Sequence, residues 1–309
     1  MKFSLSLPLG EPLLLGISGG LDSVALFYLL LELGYQKIIL CHFDHQLRGE
    51  ESRADASFVK ALAIVHHLAY EIGSEDVAGR AAREHLSLET AARAARYEFF
   101  AAVAKKKNIK TILLAHHADD QVETIFFNFL RGSGSSGLAG MLPISTRKIN
   151  DIELRIIRPL LTVSKKELAD FLAEKNIPFR HDSSNDTLLP TRNRLRHRLI
   201  PLLDQIFGTS YRDAVRRAAS ILSEEDDFLQ SLAAPLAAKE ELPTHELAKL
   251  PLALQRRVVY TWLRHHGFED IGFAEVERIL SLQNLDGPAK VNLPTCRHAR
   301  RRAGVIFVE

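Results

Sequence analysis

The chain has 309 residues and a net charge of +2, with 46% hydrophobic and 25% charged residues. These values are typical of a globular protein with a core of normal size. No apolar run approaches the roughly 20 residues that span a bilayer, and the mildly apolar N-terminus is too short for a signal peptide, so we expect no membrane contact. The two cysteines, Cys41 and Cys296, lack metal-ligand spacing. This argues against a disulfide framework or a structural zinc site and favours the reducing cytoplasm.

The first half of the chain alternates strand-like and helix-like segments. Apolar runs predict strands at residues 13–17, 37–43, 69–72 and 111–115, and helical periodicity predicts helices at residues 22–33, 52–67, 87–106 and 119–131. Such alternation predicts a doubly wound parallel sheet in an α/β fold, with helices on both faces. Ligands on such sheets bind at the carboxyl ends of the strands, where residues 18–23, 43–48 and 116–123 lie.

After residue 202 the strand–helix alternation ends. Helices are predicted at residues 211–236, 251–266 and 273–282, and residues 290–309 are strand-like. Because Gly208 interrupts the pattern, we expect a catalytic domain at residues 1–205 and a smaller, mainly helical domain at residues 206–309. The glycine-rich residues 132–140 suit either a flexible linker or a loop that covers a substrate.

One loop has the chemistry of an anion site. It reads Ser18, Gly19, Gly20, Leu21, Asp22 and Ser23 between a predicted strand and a predicted helix. Glycines let backbone N–H groups approach phosphate oxygens, and a helix N-terminus adds unpaired donors. Ser18 and Ser23 add hydroxyl donors, whereas Asp22 would repel phosphate and therefore suggests bound Mg²⁺. We predict a nucleotide-phosphate site that is not of the Walker type; an ordinary capped glycine turn is the alternative.

Three polar residues follow the fourth predicted strand. His116, Asp120 and Glu123 have the spacing i, i+4 and i+7, which predicts that they share one face of a helix. Such a trio also suits a metal-dependent hydrolase. A plain polar helix start is a further alternative, since Asp119 and Asp120 favour a first helical turn.

Arginine is concentrated in two regions of the second half. Seven arginines lie at residues 192–217 against Asp204 and Asp213, and residues 290–302 add one lysine and four arginines. Clustered arginine is the electrostatic footprint expected for RNA binding. A solvated helix face is the alternative for either cluster.

Several segments carry a resemblance to a known family. They read Cys-His-Phe-Asp-His-Gln-Leu-Arg (41–48), Glu-Thr-Ala-Ala-Arg-Ala-Ala-Arg-Tyr-Glu-Phe-Phe (89–100), Ala-His-His-Ala-Asp-Asp-Gln-Val-Glu-Thr (115–124), Arg-Gly-Ser-Gly (131–134), Arg-Pro-Leu-Leu (158–161), Asp-Ser-Ser-Asn (182–185) and Arg-Asn-Arg-Leu-Arg (192–196). In this order, after the loop at residues 18–23, they resemble the tRNA(Ile)-lysidine synthetase family of PP-loop ATP pyrophosphatases, in its short form. The resemblance covers residues 13–203; Phe43 and Gln46 depart from the family's usual valine and glycine.

The resemblance implies a Rossmann-like PP-loop domain and an ATP-dependent ligase. In the family reaction the O2 of the wobble cytidine in a CAU anticodon of tRNA(Ile) attacks the α-phosphate of ATP and releases pyrophosphate. Free L-lysine then displaces AMP and forms lysidine, which changes decoding from methionine to isoleucine. The implied substrates are ATP, L-lysine and tRNA(Ile), the implied cofactor is Mg²⁺, and a homodimer is expected because family members are often dimers.

The resemblance also implies roles for individual residues. Asp22 and Asp120 would hold Mg²⁺, and Arg96 would be the fixed cation on the triphosphate or adenylate. Glu123 would hold an amino group of lysine, while His116 or Asp120 would deprotonate the attacking amine.

The arginine-rich segment at residues 192–196 is expected to bind RNA phosphate or to lie over the active site, through Arg192, Asn193 and Arg196. Structural ion pairs are the alternative. The C-terminal arginines would hold the tRNA body. Rival interpretations are a PP-loop tRNA thiolase, a synthetase of the GMP- or NAD-forming kind, and a non-catalytic RNA-binding protein with a relict nucleotide fold.

Overall fold

The computed structural model describes residues 5–180, 191–268, 271–284, 286–294 and 296–309. The described chain forms two compact units, and it passes from one to the other at Ser133/Gly134, at Ala139/Gly140 and at Ala218/Ala219. The last crossing falls inside one long helix, α10 (Ser210–Ala237). The predicted domain boundary between residues 205 and 206 therefore lies before the point at which the compact units divide, and it stays a prediction.

The first unit contains a six-stranded sheet in the order β3-β2-β1-β4-β6-β5. Its strands are β1 (Leu13–Gly16), β2 (Ile38–Asp44), β3 (Ala69–Ser74), β4 (Thr111–Leu113), β5 (Ile144–Ile149) and β6 (Ile152–Ile157). All neighbours pair in parallel except β5 and β6. The α/β fold and the four predicted strands are confirmed.

One edge of the sheet, for which no strands were predicted, departs from the parallel pairing: β5 runs antiparallel to β6. The two strands form a hairpin whose loop residues, Asn150 and Asp151, have φ angles of 46° and 63°. Two consecutive residues with positive φ are typical of a two-residue hairpin turn that matches the twist of the strands. The sequence signal was weak because neither position is glycine.

The first unit also contains helices. They are α1 (Leu21–Glu32), α2 (Glu50–Val65), α3 (Val77–Glu84), α4 (Leu88–Lys107), α5 (Ala118–Leu130), α7 (Lys165–Glu174), α8 (Thr191–Arg194), a π-helical turn (Leu195–Leu199), α9 (Ile200–Phe207) and the beginning of α10. The four helices predicted for the first half are confirmed with small shifts at their ends. Helices α3, α7, α8 and α9 and the π-helical turn were not predicted.

Side chains of β1 enter two separate cores, which shows that both faces of the sheet are covered. Leu13 and Leu15 pack with Phe27 of α1 in one core, whereas Leu14 packs with Tyr97 of α4 in the other. Successive residues of a strand point to opposite faces, so an uninterrupted apolar run is what a doubly covered strand requires. Burial of each such side chain contributes about 1.5–3 kcal/mol.

The second unit joins helices to a small antiparallel sheet with the order β7-β10-β9-β8. Its elements are α6 (Ser135–Leu138), the rest of α10, β7 (Leu242–Pro243), α11 (Thr244–Ala248), α12 (Leu252–His265), α13 (Phe273–Ser281), β8 (Lys290–Asn292), β9 (His298–Arg302) and β10 (Val305–Val308). Trp262 is fully buried at its centre. The three predicted helices and the strand-like end of the chain are confirmed.

Within the glycine-rich segment, Gly134–Ala139 contains α6 and belongs to the second unit. The hydroxyls of Ser135 and Ser136 each donate to Asp226 Oδ1 at 2.8 Å. Arg257 donates to both serine hydroxyls at 2.8 Å and also pairs with Asp226. These bonds hold α6 in place, so the interpretation of this segment as a flexible linker is wrong.

None of the helices in the described part of the chain combines the length and apolar character needed to span a bilayer.

Candidate active site

The loop at residues 18–23 closes on itself between β1 and α1. The Ser23 hydroxyl donates to the Gly20 carbonyl (3.0 Å), and its oxygen accepts a hydrogen bond from the Ser18 backbone N–H (3.2 Å). Ser18 Oγ accepts from the Gly20 N–H at 3.2 Å. Gly20 caps α1 without any side-chain hydrogen bond to the first turn, so the helix N-terminus presents its N–H groups in the way that an anion requires.

Gly19 is favoured by its backbone conformation, and two side chains lie close to it. Its φ is +91°, and a Cβ at this position would lie 3.3 Å from Phe58 and 3.5 Å from Arg180. Its carbonyl accepts a hydrogen bond from the Arg180 N–H at 2.9 Å. The chain therefore passes close to the loop on this side, and glycine is the residue that fits.

Asp22 lies at the start of α1 beside His117, the last residue before α5. His117 Nε2 is 3.6 Å from Asp22 Oδ1 and 3.5 Å from Asp120 Oδ2. Burial raises the pKa of Asp22, while the nearby His117 and Lys165 oppose that shift. Oδ1 of Asp22 is buried and has no hydrogen-bond partner among the described residues. An orphaned carboxylate oxygen facing a second carboxylate suits a divalent cation.

The prediction that His116, Asp120 and Glu123 share a helix face is wrong for His116. Helix α5 begins at Ala118, and His117 is its N-cap: His117 Nδ1 accepts from the Asp119 and Asp120 N–H groups, and Asp120 Oδ2 accepts from the His117 N–H. This reciprocal pairing is a capping box. It ends the extended chain at His117, so His116 precedes the helix and only Asp120 and Glu123 project from it.

His116 nevertheless remains beside Asp120. Burial, first of all, lowers the pKa of His116 to about 3, and the charges of Arg158 and Arg96 act in the same direction while Asp120 opposes them. Its Nδ1 atom is buried without a hydrogen-bond partner in the described structure. His116 is therefore a neutral imidazole at pH 7.

Glu123 and Asp120 both bind Arg196. Arg196 donates from Nε to Glu123 Oε1 (2.7 Å), from Nη2 to Glu123 Oε2 (2.8 Å) and from Nη2 to Asp120 Oδ1 (3.1 Å). Arg196 stands in the π-helical turn, a local irregularity that is frequent at functional sites. We expected this side chain to contact RNA phosphate or to lie over the active site; the structure places its guanidinium on the two acids.

Arg96 is set apart from these acids. Its Nε atom is buried without a hydrogen-bond partner, burial lowers the pKa of the guanidinium, and its Cζ atom lies 5.9 Å from the centre of the Tyr97 ring. None of the ion pairs formed by the described residues includes Arg96. Arg96 therefore has the donors and the charge to bind an anion.

The remaining predicted residues of the arginine-rich segment lie on α8. Arg192 Nε is 3.4 Å from Glu89 Oε1, and its guanidinium lies 5.0 Å from the centre of the Phe127 ring. Asn193 belongs to the same short helix. The motif at residues 182–185 lies outside the described residues. The RNA-binding role of Arg192 and Asn193 stays a prediction.

Asp120 and Glu123 are called the acid pair below. A cavity of about 850 Å³ opens beside them. Its lining includes His117, Glu123, Lys165, Arg196, Arg212 and Arg216. Sequence reasoning missed Lys165. It counted Arg212, which pairs with both Asp119 and Asp204, only among the clustered arginines. The sequence contained one signal for Lys165. Ser164 and Glu167 form a capping box, the pattern that marks a helix start. Lys165 is the first residue of that helix and lines the cavity.

Similar proteins agree with this geometry. Residues 8–203 match the model of the PP-loop domain, and residues 242–307 match that of the TilS substrate binding domain. A solved structure, the U34-tRNA thiolase NcsA from Methanococcus maripaludis, superposes with a TM-score of 0.53 over 70% of this chain and 72% of that chain. Its identity of 16% indicates a shared fold alone.

Two relatives are similar along most of this chain. The tRNA(Ile)-lysidine synthase of Thermosynechococcus vestitus is 34% identical over 304 residues, which cover 95% of this chain and 85% of that protein. The tRNA(Ile)-lysidine synthase of Bacillus subtilis is 35% identical over 267 residues, 83% of this chain and 56% of that protein. This chain thus matches only about half the length of the Bacillus relative. From its PP-loop geometry and these similarities, the chain belongs to the tRNA(Ile)-lysidine synthase family of PP-loop proteins.

Proposed function

We propose that this protein uses ATP to join L-lysine to the wobble cytidine in the CAU anticodon of tRNA(Ile), forming lysidine. One observation carries the proposal: the phosphate loop, through Asp22, and the acid pair on α5 meet at His117. A site for splitting ATP and a site for an amine are thereby adjacent. The names of the relatives at 34–35% identity support this choice of substrates.

In the proposed first step, the cytidine O2 attacks the α-phosphate of ATP and pyrophosphate leaves. The N–H groups at the start of α1 and the hydroxyls of Ser18 and Ser23 would hold the departing pyrophosphate. Arg96 would stabilise the negative charge that develops on the α-phosphate. Its guanidinium suits that task because it needs an anion to satisfy its buried Nε atom.

Mg²⁺ fits the carboxylates that face His117. Asp22 and Asp120 would hold it, with phosphate oxygens completing the coordination, since Mg²⁺ is usually bound by one or two carboxylates plus substrate phosphates. The described part of the chain has no group of three or more side chains that could hold a metal ion. Binding by two carboxylates and substrate phosphates does not need such a group. When bound, the ion would offset the charge on the reacting phosphates.

In the proposed second step, the lysine amine attacks C2 of the adenylated cytidine. The new carbon–nitrogen bond forms as the carbon–oxygen bond breaks, and AMP leaves with the oxygen and its electron pair. The acid pair Asp120 and Glu123 would hold and orient the ammonium group. The proton lost by the amine would pass to Asp120, because burial lowers the pKa of His116 to about 3 and leaves its imidazole a weak proton acceptor.

The second unit is proposed to hold the tRNA. It contains the residues that match the TilS substrate binding domain, and its β9 strand is His-Ala-Arg-Arg-Arg at residues 298–302. Clustered arginine neutralises phosphate and positions RNA. The use of Mg²⁺ and L-lysine and the expected homodimer remain predictions.

The test is a lysine-transfer assay. The full chain is incubated with ATP, Mg²⁺, radiolabelled L-lysine and an unmodified tRNA(Ile) transcript that carries CAU. We expect label in the RNA, and little with a transcript in which the wobble cytidine is replaced by uridine.

A Glu123→Gln variant should lose lysine transfer yet still release pyrophosphate in the presence of the transcript. Glu174→Gln, on α7, is the matched control and should transfer lysine normally. Absence of label with the unaltered protein and a competent transcript would falsify the proposal. Sulfur transfer to the RNA would instead favour the thiolase, although Cys41 is buried in β2 with a pKa raised by burial to about 12.

A further inference from the structure

Asp55, on α2, is a buried carboxylate that holds two arginines from different segments of the chain. Its Oδ1 accepts a hydrogen bond from Arg180 Nε at 3.0 Å, and its Oδ2 accepts one from Arg48 Nη2 at 2.8 Å. The Asp55 side chain is only 7% exposed, so both bonds are charge-assisted and little screened by water. The two proposed reaction steps do not involve Asp55.

The backbone of Arg180 pairs with the phosphate loop (residues 18–23). Its N–H donates to the Gly19 carbonyl at 2.9 Å, and Arg180 forms a parallel β-bridge with Gly20. Because a trans peptide is planar, its carbonyl and its N–H point in opposite directions. The bond from Arg180 therefore orients the whole peptide between Gly19 and Gly20, including the Gly20 N–H, which donates to Ser18 Oγ at 3.2 Å.

The peptide between Gly19 and Gly20 is free to turn over unless something holds it, because glycine accepts both signs of φ. Turning it would move φ of Gly20 from −76° into the positive region. The carbonyl and the N–H would exchange places, and a phosphate site needs N–H donors in place of carbonyl acceptors. We infer that Asp55, acting through Arg180, is a positioning residue that latches this peptide in the orientation suited to phosphate.

Helix α2 gives the latch a rigid base. Phe58 lies one helical turn after Asp55, so the two side chains share a face of the helix. A Cβ on Gly19 would lie 3.3 Å from the Phe58 ring and 3.5 Å from Arg180 Cγ. The same face of α2 thus holds the side chain of Arg180 and approaches the loop directly. The inference rests on the proposed function only in that the loop binds ATP.

The experiment measures the equilibrium binding of radiolabelled ATP and adenosine to the full chain, with Mg²⁺ and without RNA or lysine. Asp55→Asn removes the charge that both arginines share, and Arg180→Met removes the anchored guanidinium. Each variant should weaken ATP binding about 10-fold, the effect of losing one hydrogen bond to a charged group. Adenosine has no phosphate, so its affinity should not change.

The double variant Asp55→Asn/Arg180→Met tests whether Asp55 acts through Arg180. It should bind ATP no more weakly than the weaker of the two single variants, because both substitutions break the same contact. Glu50→Gln is the matched control, since Glu50 is an exposed acid of α2 that pairs with Arg53. It should bind ATP and adenosine as the unaltered protein does.

Gly20→Ala tests the turning of the peptide itself. A Cβ at Gly20 would lie 3.4 Å from Ser18 Oγ and 3.9 Å from the Arg180 carbonyl oxygen, so the present orientation has room for it. The turned peptide would instead give alanine a positive φ, which is unfavourable. Within the Gly20→Ala background, Asp55→Asn should therefore weaken ATP binding less than it does with the natural loop.

Three outcomes overturn the inference while the unaltered protein binds ATP. The first is unchanged ATP affinity in Asp55→Asn and Arg180→Met. The second is an equal loss for ATP and adenosine, which would mean that Asp55 merely supports the fold. The third is an equal effect of Asp55→Asn with and without Gly20→Ala. Should Asp55→Asn fail to fold, Arg180→Met, at a side chain that is 40% exposed, decides. Absence of ATP binding by the unaltered protein would instead reject the proposed function.

Discussion

His117 and Asp22 approach each other to 3.6 Å, between Nε2 and Oδ1, where the ends of β1 and β4 lie side by side. Each residue stands at the start of a helix, α1 for Asp22 and α5 for His117. Across the sheet, the chain adds strands on one side of β1, in the order β2 and β3, and then on its other side, beginning with β4. Open α/β sheets bind ligands in the crevice at such a switch point. The two helix starts therefore define the centre of the site.

Asp22→Asn should abolish most ATP-dependent activity. The amide keeps the size of the side chain but removes a negative charge beside Asp120, so the binding of a divalent ion weakens. We expect kcat/KM for ATP to fall roughly 100- to 1,000-fold, measured as RNA-dependent pyrophosphate release. Asp170→Asn, an exposed residue paired with Lys166, is the control. Equal activity of Asp22→Asn and the unaltered protein would exclude a metal-binding role.

His117 should matter to stability through its cap. His117→Ala removes the acceptor for the Asp119 and Asp120 N–H groups, and the loss of an N-cap costs about 1 kcal/mol. His117→Asn offers a shorter side chain that is favoured at this position, so it should recover part of the loss. The measurement is urea unfolding followed by circular dichroism. A larger loss in the asparagine variant than in the alanine variant would contradict the capping role.

Two glycines with similar backbones should respond differently to alanine. Gly132 and Gly140 have φ angles of +77° and +73°, but a Cβ at Gly132 meets nothing within 4 Å, whereas one at Gly140 lies 2.7 Å from the Gln121 amide. Gln121 clamps the backbone of Met141 through two hydrogen bonds, of 3.0 and 2.7 Å. Gly132→Ala should cost about 1 kcal/mol of backbone strain.

Gly140→Ala should cost more, roughly 2–3 kcal/mol, because it adds the displacement of Gln121 to the same strain. Thermal unfolding of the two variants side by side measures the difference. Equal melting temperatures would show that the clamp contributes little.

Acid should destabilise the fold through His45. Burial, chiefly, with the neighbouring charge of Arg96, lowers the pKa of His45 from 6.5 to about 4. Between pH 6.5 and pH 4 the unfolded chain therefore binds a proton at this residue that the folded chain does not, so stability falls as the pH falls. The loss is at most about 3 kcal/mol and is reduced by the partial exposure of the side chain.

His45→Asn removes this term, so its free energy of unfolding should change less over the same pH range. Urea titrations at pH 7, 5.5 and 4.5 measure the difference. His42 and His116, whose pKa values burial also lowers, act in the same direction in both proteins and cancel in the comparison. Parallel pH profiles would contradict the prediction.

Arg300→Ala should weaken tRNA binding. Arg300 lies on β9, is about half exposed and pairs with Glu309 at 2.5 Å. Loss of one phosphate contact should lower the slope of log affinity against log salt by about one. Arg53→Ala, an exposed arginine of α2 paired with Glu50, should leave the slope unchanged. Filter binding across a salt series tests both.

Arg301→Ala is the less clean test of the same role. Arg301 donates to the carbonyl of Leu282 at 3.1 Å and to that of Asn284, so its removal also affects the fold. A change in affinity for this variant alone, with no change for Arg300→Ala, would assign the effect to stability instead of RNA contact.

Local sequence determined which residues carry the chemistry of the first unit. The apolar run at residues 13–17 and the glycines that follow it fix a buried strand and a loop open to phosphate, because both properties depend on neighbours along the chain. The motifs at residues 41–48 and 115–124 were likewise recognised from their letters alone. The antiparallel hairpin at Asn150 and Asp151 was not, since only a pairing between strands reveals it.

Tertiary structure decided the relations among those residues. Periodicity placed His116 on a helix face, but the capping of α5 by His117 moved it off the helix, because the helix start depends on a side chain that turns back onto the backbone. Charge clustering left open whether Arg196 binds RNA phosphate, lies over the active site or forms a structural ion pair, and the fold brings it onto Glu123. An arginine pairs with whichever anion the fold places within about 3 Å, and no count of charges along the chain can supply that distance.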